Sequence, residues 1–140
     1  MIDGLILDTG PLVAYLIERD DFHDWAVETF RASPPLFWTC EAVLTETAYL
    51  IGGHTAGMRL IDSLLDQDYL RISFRLSDEK NRVVDLMEQY RSRPMSLADA
   101  CLVRMAEQME RCPILTLDAD FRFYRKNRRQ VIRTIMPPGR

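Results

Sequence analysis

Residues 5–16 read LILDTGPLVAYL. Leu5, Ile6 and Leu7 form an unbroken apolar run, which suits a short buried strand. The run ends at Asp8. Pro11 then falls where a first helical turn tolerates proline, and Leu12, Val13, Tyr15 and Leu16 carry a short helix.

The same alternation continues along the chain. A helix is predicted from about Asp24 to Ala32, with Trp25, Val27 and Phe30 apolar, and Ser33-Pro34-Pro35 ends it. Leu36 to Thr39 reads as a strand, and Glu41 to Ile51 as a helix stopping at Gly52-Gly53. Thr55 to Asp66 carries Leu60, Ile61, Leu64 and Leu65 in helical register. Leu70 to Phe74 alternates as a strand does. Ser77-Asp78-Glu79 opens a helix striped by Val83, Val84, Met87 and Tyr90, and Arg93-Pro94 breaks it. Ser96 opens another, followed by Leu102, Val103, Met105 and Ala106. Residues 113–117 (PILTL) form a buried strand, and Val131 to Ile135 the last. Short buried strands alternating with helices predict a three-layer α/β/α sandwich around a mostly parallel sheet. Ligands of such sheets bind beyond the carboxyl ends of the strands.

A chain of 140 residues, 47% hydrophobic, fits one domain with a real core. Charges interrupt every apolar stretch well before the ~18 residues of a membrane span. The start, MIDGLILDTG, has acids where a secretory leader needs basic residues, so a cytoplasmic location is expected. Cys40, Cys101 and Cys112 are odd in number and lack metal-ligand spacing, which predicts buried, inert thiols in a reducing compartment. Net charge is −3, which argues against a general basic coat. After Asp120, however, come Arg122, Arg125, Lys126, Arg128, Arg129, Arg133 and Arg140 with no acid among them. That run is either a solvated tail or a patch for phosphates or an acidic partner. The first thirty residues are the acidic mirror case, with Asp3, Asp8, Glu18, Asp20, Asp21, Asp24 and Glu28.

Four acids at distant points in the chain lie in or beside apolar segments: Asp8 in LILDTGPL, Glu46 in AVLTETAYL, Asp99 in MSLADACL and Asp118 in ILTLDADF. A lone charge in such places is costly. Each also has a local explanation. Asp8 caps the helix after it, Asp99 completes a Ser-x-x-Asp capping pattern with Ser96, and Asp118 or Asp120 caps a turn. Glu46, flanked by Leu44, Ala48, Tyr49 and Ile51, would be buried and would need a distant arginine. One shared site explains all four at once. Asp8 and Asp118 end predicted strands, while Glu46 and Asp99 ride helices able to lean over that edge.

Clustered carboxylates suit Mg²⁺ or Mn²⁺, hard cations that take oxygen ligands. Such a site can activate water against a phosphodiester. No Ser/His/Asp or Cys/His set is available, since His23 and His54 are the only histidines and read as surface or loop residues. No phosphate-binding glycine loop of the GxxxxGK[ST] or GxGxxG kind occurs.

In these motifs and their order the chain resembles the PIN-domain ribonucleases, and most closely the VapC-like toxins of toxin–antitoxin pairs. LILDTGPLVAYL is similar to that family's first strand and helix, with Asp8 at the first acid and Thr9 at the hydroxyl that follows. VLTETAYL places Glu46 at the second acid, MSLADACLVRMAE places Asp99 at the third, and ILTLDADF places Thr116 at a common hydroxyl and Asp118 at the fourth. Asp120 is an alternative within the same turn. The resemblance implies a Mg²⁺- or Mn²⁺-dependent endoribonuclease, usually dimeric, inhibited by a small antitoxin. Asp8, Glu46, Asp99 and Asp118 would then bind metal and act in catalysis. Thr9, Thr116 and Asp120 would orient them or touch substrate, and Arg122, Arg125, Lys126, Arg128 and Arg129 would hold RNA phosphates.

Two rivals stay open. One is a non-catalytic RNA- or protein-binding module, which would bind RNA without metal-dependent turnover. The other is a phosphoryl-transfer enzyme, although a phosphatase wants a second Asp two residues after the first, where Gly10 stands. Between Leu50 and Leu70 the residues Ile51, Met58, Leu60, Ile61, Leu64 and Leu65 are partly core, and the excess could form an antitoxin groove or dimer surface.

Overall fold

Three buried aliphatic residues place β1 (Leu5–Leu7) at the middle of the sheet. The computed structural model describes residues 2–34 and 36–140, so Pro35, expected to help end a helix, lies outside the described residues. The elements after β1 are α1 (Thr9–Leu16), α2 (His23–Ala32), β2 (Phe37–Thr39), α3 (Glu41–Leu50), α4 (Thr55–Asp66), β3 (Leu70–Ile72), α5 (Leu76–Gln89) and α6 (Leu97–Gln108). They are followed by β4 (Ile114–Leu115), a 3₁₀ turn (Ala119–Arg122), β5 (Arg125–Lys126), β6 (Gln130–Val131) and β7 (Thr134–Ile135).

Five strands form one sheet in the order β3-β2-β1-β4-β7, every neighbouring pair parallel. Successive side chains of β1 face opposite layers. Ile6 joins Ile114, Val43, Val83, Leu86 and Leu102 in a core under α3, α5 and α6. Leu5 and Leu7 join Leu12, Phe37, Ile61, Leu70 and Leu115, with Trp25 and Phe30 against them, under α1, α2 and α4. Each such buried aliphatic or aromatic side chain is worth about 1.5–3 kcal/mol. A sheet coated on both faces explains why its strands read as apolar runs. No helix among the described residues is long and apolar enough to cross a membrane.

The chain runs outward from β1 through β2 to β3, then crosses to the other side for β4 and β7. The order therefore reverses between β1 and β4, and at such a switch point the loops diverge and leave a crevice. Ile6 is in register with Ile114, and Leu7 with Leu115. The residues leaving these two strands, Asp8 and Thr116, emerge side by side.

Three strand expectations are corrected. β3 ends at Ile72 because Phe74 leaves the ladder to fill the core under α5 and α6. β4 is confined to Ile114–Leu115, between a proline that has no N–H and the loop of acids. The single strand expected over Val131–Ile135 is two. β6 pairs antiparallel with β5, Ile132 turns into the core, and β7 joins the main sheet. All three cysteines are free and buried, as expected.

Candidate active site

At the switch point lies a cavity of about 780 Å³ lined by Asp8, Glu46, Asp99 and Asp118, together with Thr9, Gly10, Ser96 and Arg140. Four acids separated by up to 110 positions in sequence thus border one space.

Asp8 is 7% exposed and both its oxygens are engaged. Oδ1 accepts from the Thr9 N–H at 2.7 Å and Oδ2 from the Thr116 hydroxyl at 2.6 Å. These bonds do not exhaust the carboxylate, because each of its oxygens has a second lone pair. Thr116 Oγ1 also accepts from the Asp118 N–H at 2.9 Å, so one buried hydroxyl sets the spacing of the first and fourth acids. Asp118 Oδ1 in turn accepts from the Asp120 N–H at 2.9 Å. Gly10 lets the two loops meet, since a Cβ there would lie 3.1–3.2 Å from Leu117 side-chain carbons. Asp99 occupies the first turn of α6, where Ser96 Oγ accepts its N–H at 3.0 Å, and its Oδ2 accepts from the Tyr124 hydroxyl at 3.1 Å. Residues 96 and 99 do form the expected cap, and Asp99 still lines the cavity.

Burial pushes the Asp8 carboxyl up to about 6, against the Thr116 and Thr9 hydrogen bonds, with further upward push from the Asp99 and Asp118 charges. Asp99 is raised by burial and then by Asp118, against the Tyr124 and Ser96 hydrogen bonds. These three acids therefore repel one another. Burial and the Asp99 charge likewise push the Tyr124 phenol above its ordinary range, so it stays a donor at neutral pH.

Glu46 corrects the expectation of burial. On α3 the inward positions are Val43 and Thr47, while Glu46 is exposed and lies beside Tyr49 at 83% and Leu50 at 58% exposure. Leu44 and Ile51 turn toward the core while Tyr49 and Leu50 face solvent, so apolar neighbours in sequence are no sign of a core around the acid. Glu46 reaches the cavity from its rim.

A hard cation fits this donor set. Every charged donor is a carboxylate, the acids repel one another, and the Thr9 hydroxyl, buried in the cavity wall at 4% exposure, has no hydrogen-bond partner. Among the described residues no three His, Cys, Asp or Glu side chains are gathered closely enough to hold an ion by themselves. The arrangement suits an ion that keeps part of its water shell, as Mg²⁺ does.

The residues expected to hold RNA phosphates stand outside the cavity wall. Arg122, Arg128 and Arg129 are exposed, and none of Arg122, Arg125, Lys126, Arg128 or Arg129 lines the acid cavity. Arg125 Nη1 donates to the carbonyls of Arg122, Phe123 and Tyr124 at 2.7, 3.1 and 3.1 Å. Arg128 borders a separate hollow with Asp85 and Glu88. Asp120 is paired with Arg93 at 3.4 Å, outside the cavity wall. His23 bonds the Ala14 carbonyl and His54 caps α4. Sequence reading missed Tyr124 and singled out Arg140 only as part of the basic run. A phenol 25 positions from its acid has no signal in the sequence.

The family model of the PIN domain matches residues 5–127, and this chain belongs to that family. Its fold is similar to that of Mycobacterium tuberculosis VapC20, described as a sarcin–ricin-loop-cleaving toxin. The TM-score is 0.73 at 20% identity, covering 83% of this chain and 91% of that one. It is also similar to a chain of a toxin–antitoxin complex from Klebsiella pneumoniae, with a TM-score of 0.60 at 21% identity over 82% and 87% of the two chains. No curated protein sequence matches the chain.

Proposed function

We propose that this protein is a Mg²⁺- or Mn²⁺-dependent endoribonuclease acting in the cytoplasm as the toxin of a toxin–antitoxin pair. The observation that carries the reading is the meeting of Asp8, Glu46, Asp99 and Asp118 around one cavity at the switch point of a PIN-domain sheet. The toxin part rests on the fold shared with VapC20 and the Klebsiella complex.

Asp8, Glu46 and Asp99 supply the principal ligands, directly or through water, and Asp118 completes the set. When bound, the metal supplies Lewis acidity toward the phosphodiester and a more acidic water. The chain's own residues do the rest. Thr116 and the Thr9 N–H hold Asp8 in one orientation, Tyr124 holds Asp99, and Thr9 Oγ1 offers a free donor or acceptor at the wall. Outer partners of this kind typically change metal affinity or activity by 10–100-fold. Glu46, exposed and on a longer side chain, adjusts to the substrate from the rim.

The antitoxin is proposed to cover the exposed apolar rim of Tyr49, Leu50, Met58 and Leu60, since Leu50 also lines the acid cavity. The enzyme is proposed to act as a homodimer.

The test is cleavage of RNA across a Mn²⁺ titration. Asp8→Asn and Asp99→Asn are each expected to lose at least about 100-fold, more than a change to an outer partner removes, with circular dichroism unchanged. Wild-type cleavage by either variant would sink the site assignment. Turnover of small phosphomonoesters instead of RNA would favour the phosphoryl-transfer reading.

A further inference from the structure

We propose that Arg140 is the phosphate-positioning residue of this site, gripping an RNA phosphate beside the acid cavity. The proposal rests on the ribonuclease reading above. It starts from residues 137–140, Pro-Pro-Gly-Arg. Proline at the second position of a tight turn and glycine at the third, with φ positive, define a type II turn. Here Gly139 has φ +81°, and the Arg140 N–H donates to the Pro137 carbonyl at 3.2 Å. The turn aims the arginine back across the loop that carries the acids.

Two neutral partners then fix the side chain. Nε donates to the Leu117 carbonyl at 2.9 Å, and the guanidinium carbon lies 5.1 Å from the centre of the Phe22 ring. Leu117 sits between Thr116 and Asp118, so this cation is tied to the same loop that spaces two of the acids. Among the described residues Arg140 is the only basic one lining the cavity, and it forms no ion pair. An arginine recruited to neutralise Asp8 or Asp118 would be paired with one of them. This one is held close to the acids, yet its charge is unspent.

Fixing Nε leaves both terminal nitrogens free, and these match a phosphate bidentately in a way an ammonium does not. Four carboxylates outweigh the charge of one divalent cation, so a fixed positive charge at the mouth favours the passing strand. None of the arginines between Arg122 and Arg129 stands there.

The experiment measures binding of a labelled single-stranded RNA in Mg²⁺ across a salt series, using cleavage-impaired D99N protein with and without R140Q or R140K. It also measures steady-state cleavage by R140Q in the otherwise natural chain, with a melt for each variant. R140Q should weaken RNA binding about tenfold and reduce the salt slope by about 0.7, the share of one phosphate contact on a single strand. Its KM should rise about tenfold while kcat stays within about threefold. R140K should keep the slope and bind several-fold more weakly than Arg140. Unchanged slope and KM in R140Q, or a loss confined to kcat, would overturn the proposal while leaving the nuclease standing. If R140Q does not fold, R140K decides: RNA binding several-fold weaker than that of Arg140 at an unchanged slope supports the clamp, and binding equal to that of Arg140 refutes it. If the natural chain cleaves no RNA in Mg²⁺ or Mn²⁺, the ribonuclease reading has failed and the clamp fails with it.

Discussion

Thr116 is the smallest part of the site with the largest reach. Its buried hydroxyl donates to Asp8 and accepts from the Asp118 N–H. Thr116→Val keeps the shape but leaves the partly buried Asp118 amide without its acceptor and removes a charge-assisted bond. The expected destabilisation is about 1–3 kcal/mol in urea unfolding. The Asp8 carboxyl should rise further, because that bond favours its ionised form. Asp8 also predicts a pH response. Its carboxyl moves from 3.8 in the unfolded chain to about 6 in the fold. The folded form holds a proton that the unfolded chain gives up. Its stability contribution is therefore complete below the unfolded value and lost as pH rises through about 6. At 1.36 kcal/mol per unit, wild type should lose about 3 kcal/mol relative to Asp8→Asn between acid and neutral pH, in chelator. A constant difference between the two proteins across that range would contradict the burial argument.

Among the elements, the β5–β6 hairpin shows how a basic run is made structural. Glu107 on α6, its side chain 2% exposed, pairs with Arg82 of α5 at 2.7 Å and Arg104 at 3.2 Å. Its Oε2 also accepts from the Asn127 N–H at 2.7 Å, at the hairpin turn. Burial works against its charge, but Arg82, Asn127 and Arg104 outweigh burial and hold Glu107 below the usual glutamate range. The sign is opposite to that of Asp8: this stabilisation is present above the unfolded value and lost as pH falls through the folded one. Glu107→Gln should cost about 3 kcal/mol, the low end for breaking a buried pair because the arginines are about a quarter exposed. Thermal unfolding checks it, and a change within about 0.5 kcal/mol would mean the pair is decorative. Most helices here were legible from apolar spacing and caps. α3 was misread at Glu46 because an apolar neighbour in sequence does not say whether its helix face meets core, partner or water.

For the assembled chain, the fold gathers repelling acids whose mutual strain a divalent cation would relieve. Mg²⁺ or Mn²⁺ should raise the melting temperature by mass action, with about 2.7 kcal/mol of stabilisation at a hundredfold excess over Kd. Asp8→Asn or Asp99→Asn should blunt the shift. A melt indifferent to millimolar metal would count against the site as a cation site.

The amino-acid sequence alone determined the alternation of buried strands with helices, the parallel sheet, and the identity of the four acids, because periodicity, caps and misplaced charge are local signals. Three-dimensional packing decided the rest: the strand order that opens a crevice between β1 and β4, Glu46 at its rim, Tyr124 on Asp99, and Arg140 rather than its basic neighbours at the mouth. These depend on contacts between residues up to 118 positions apart, and no short-range pattern encodes which distant side chains will share a space.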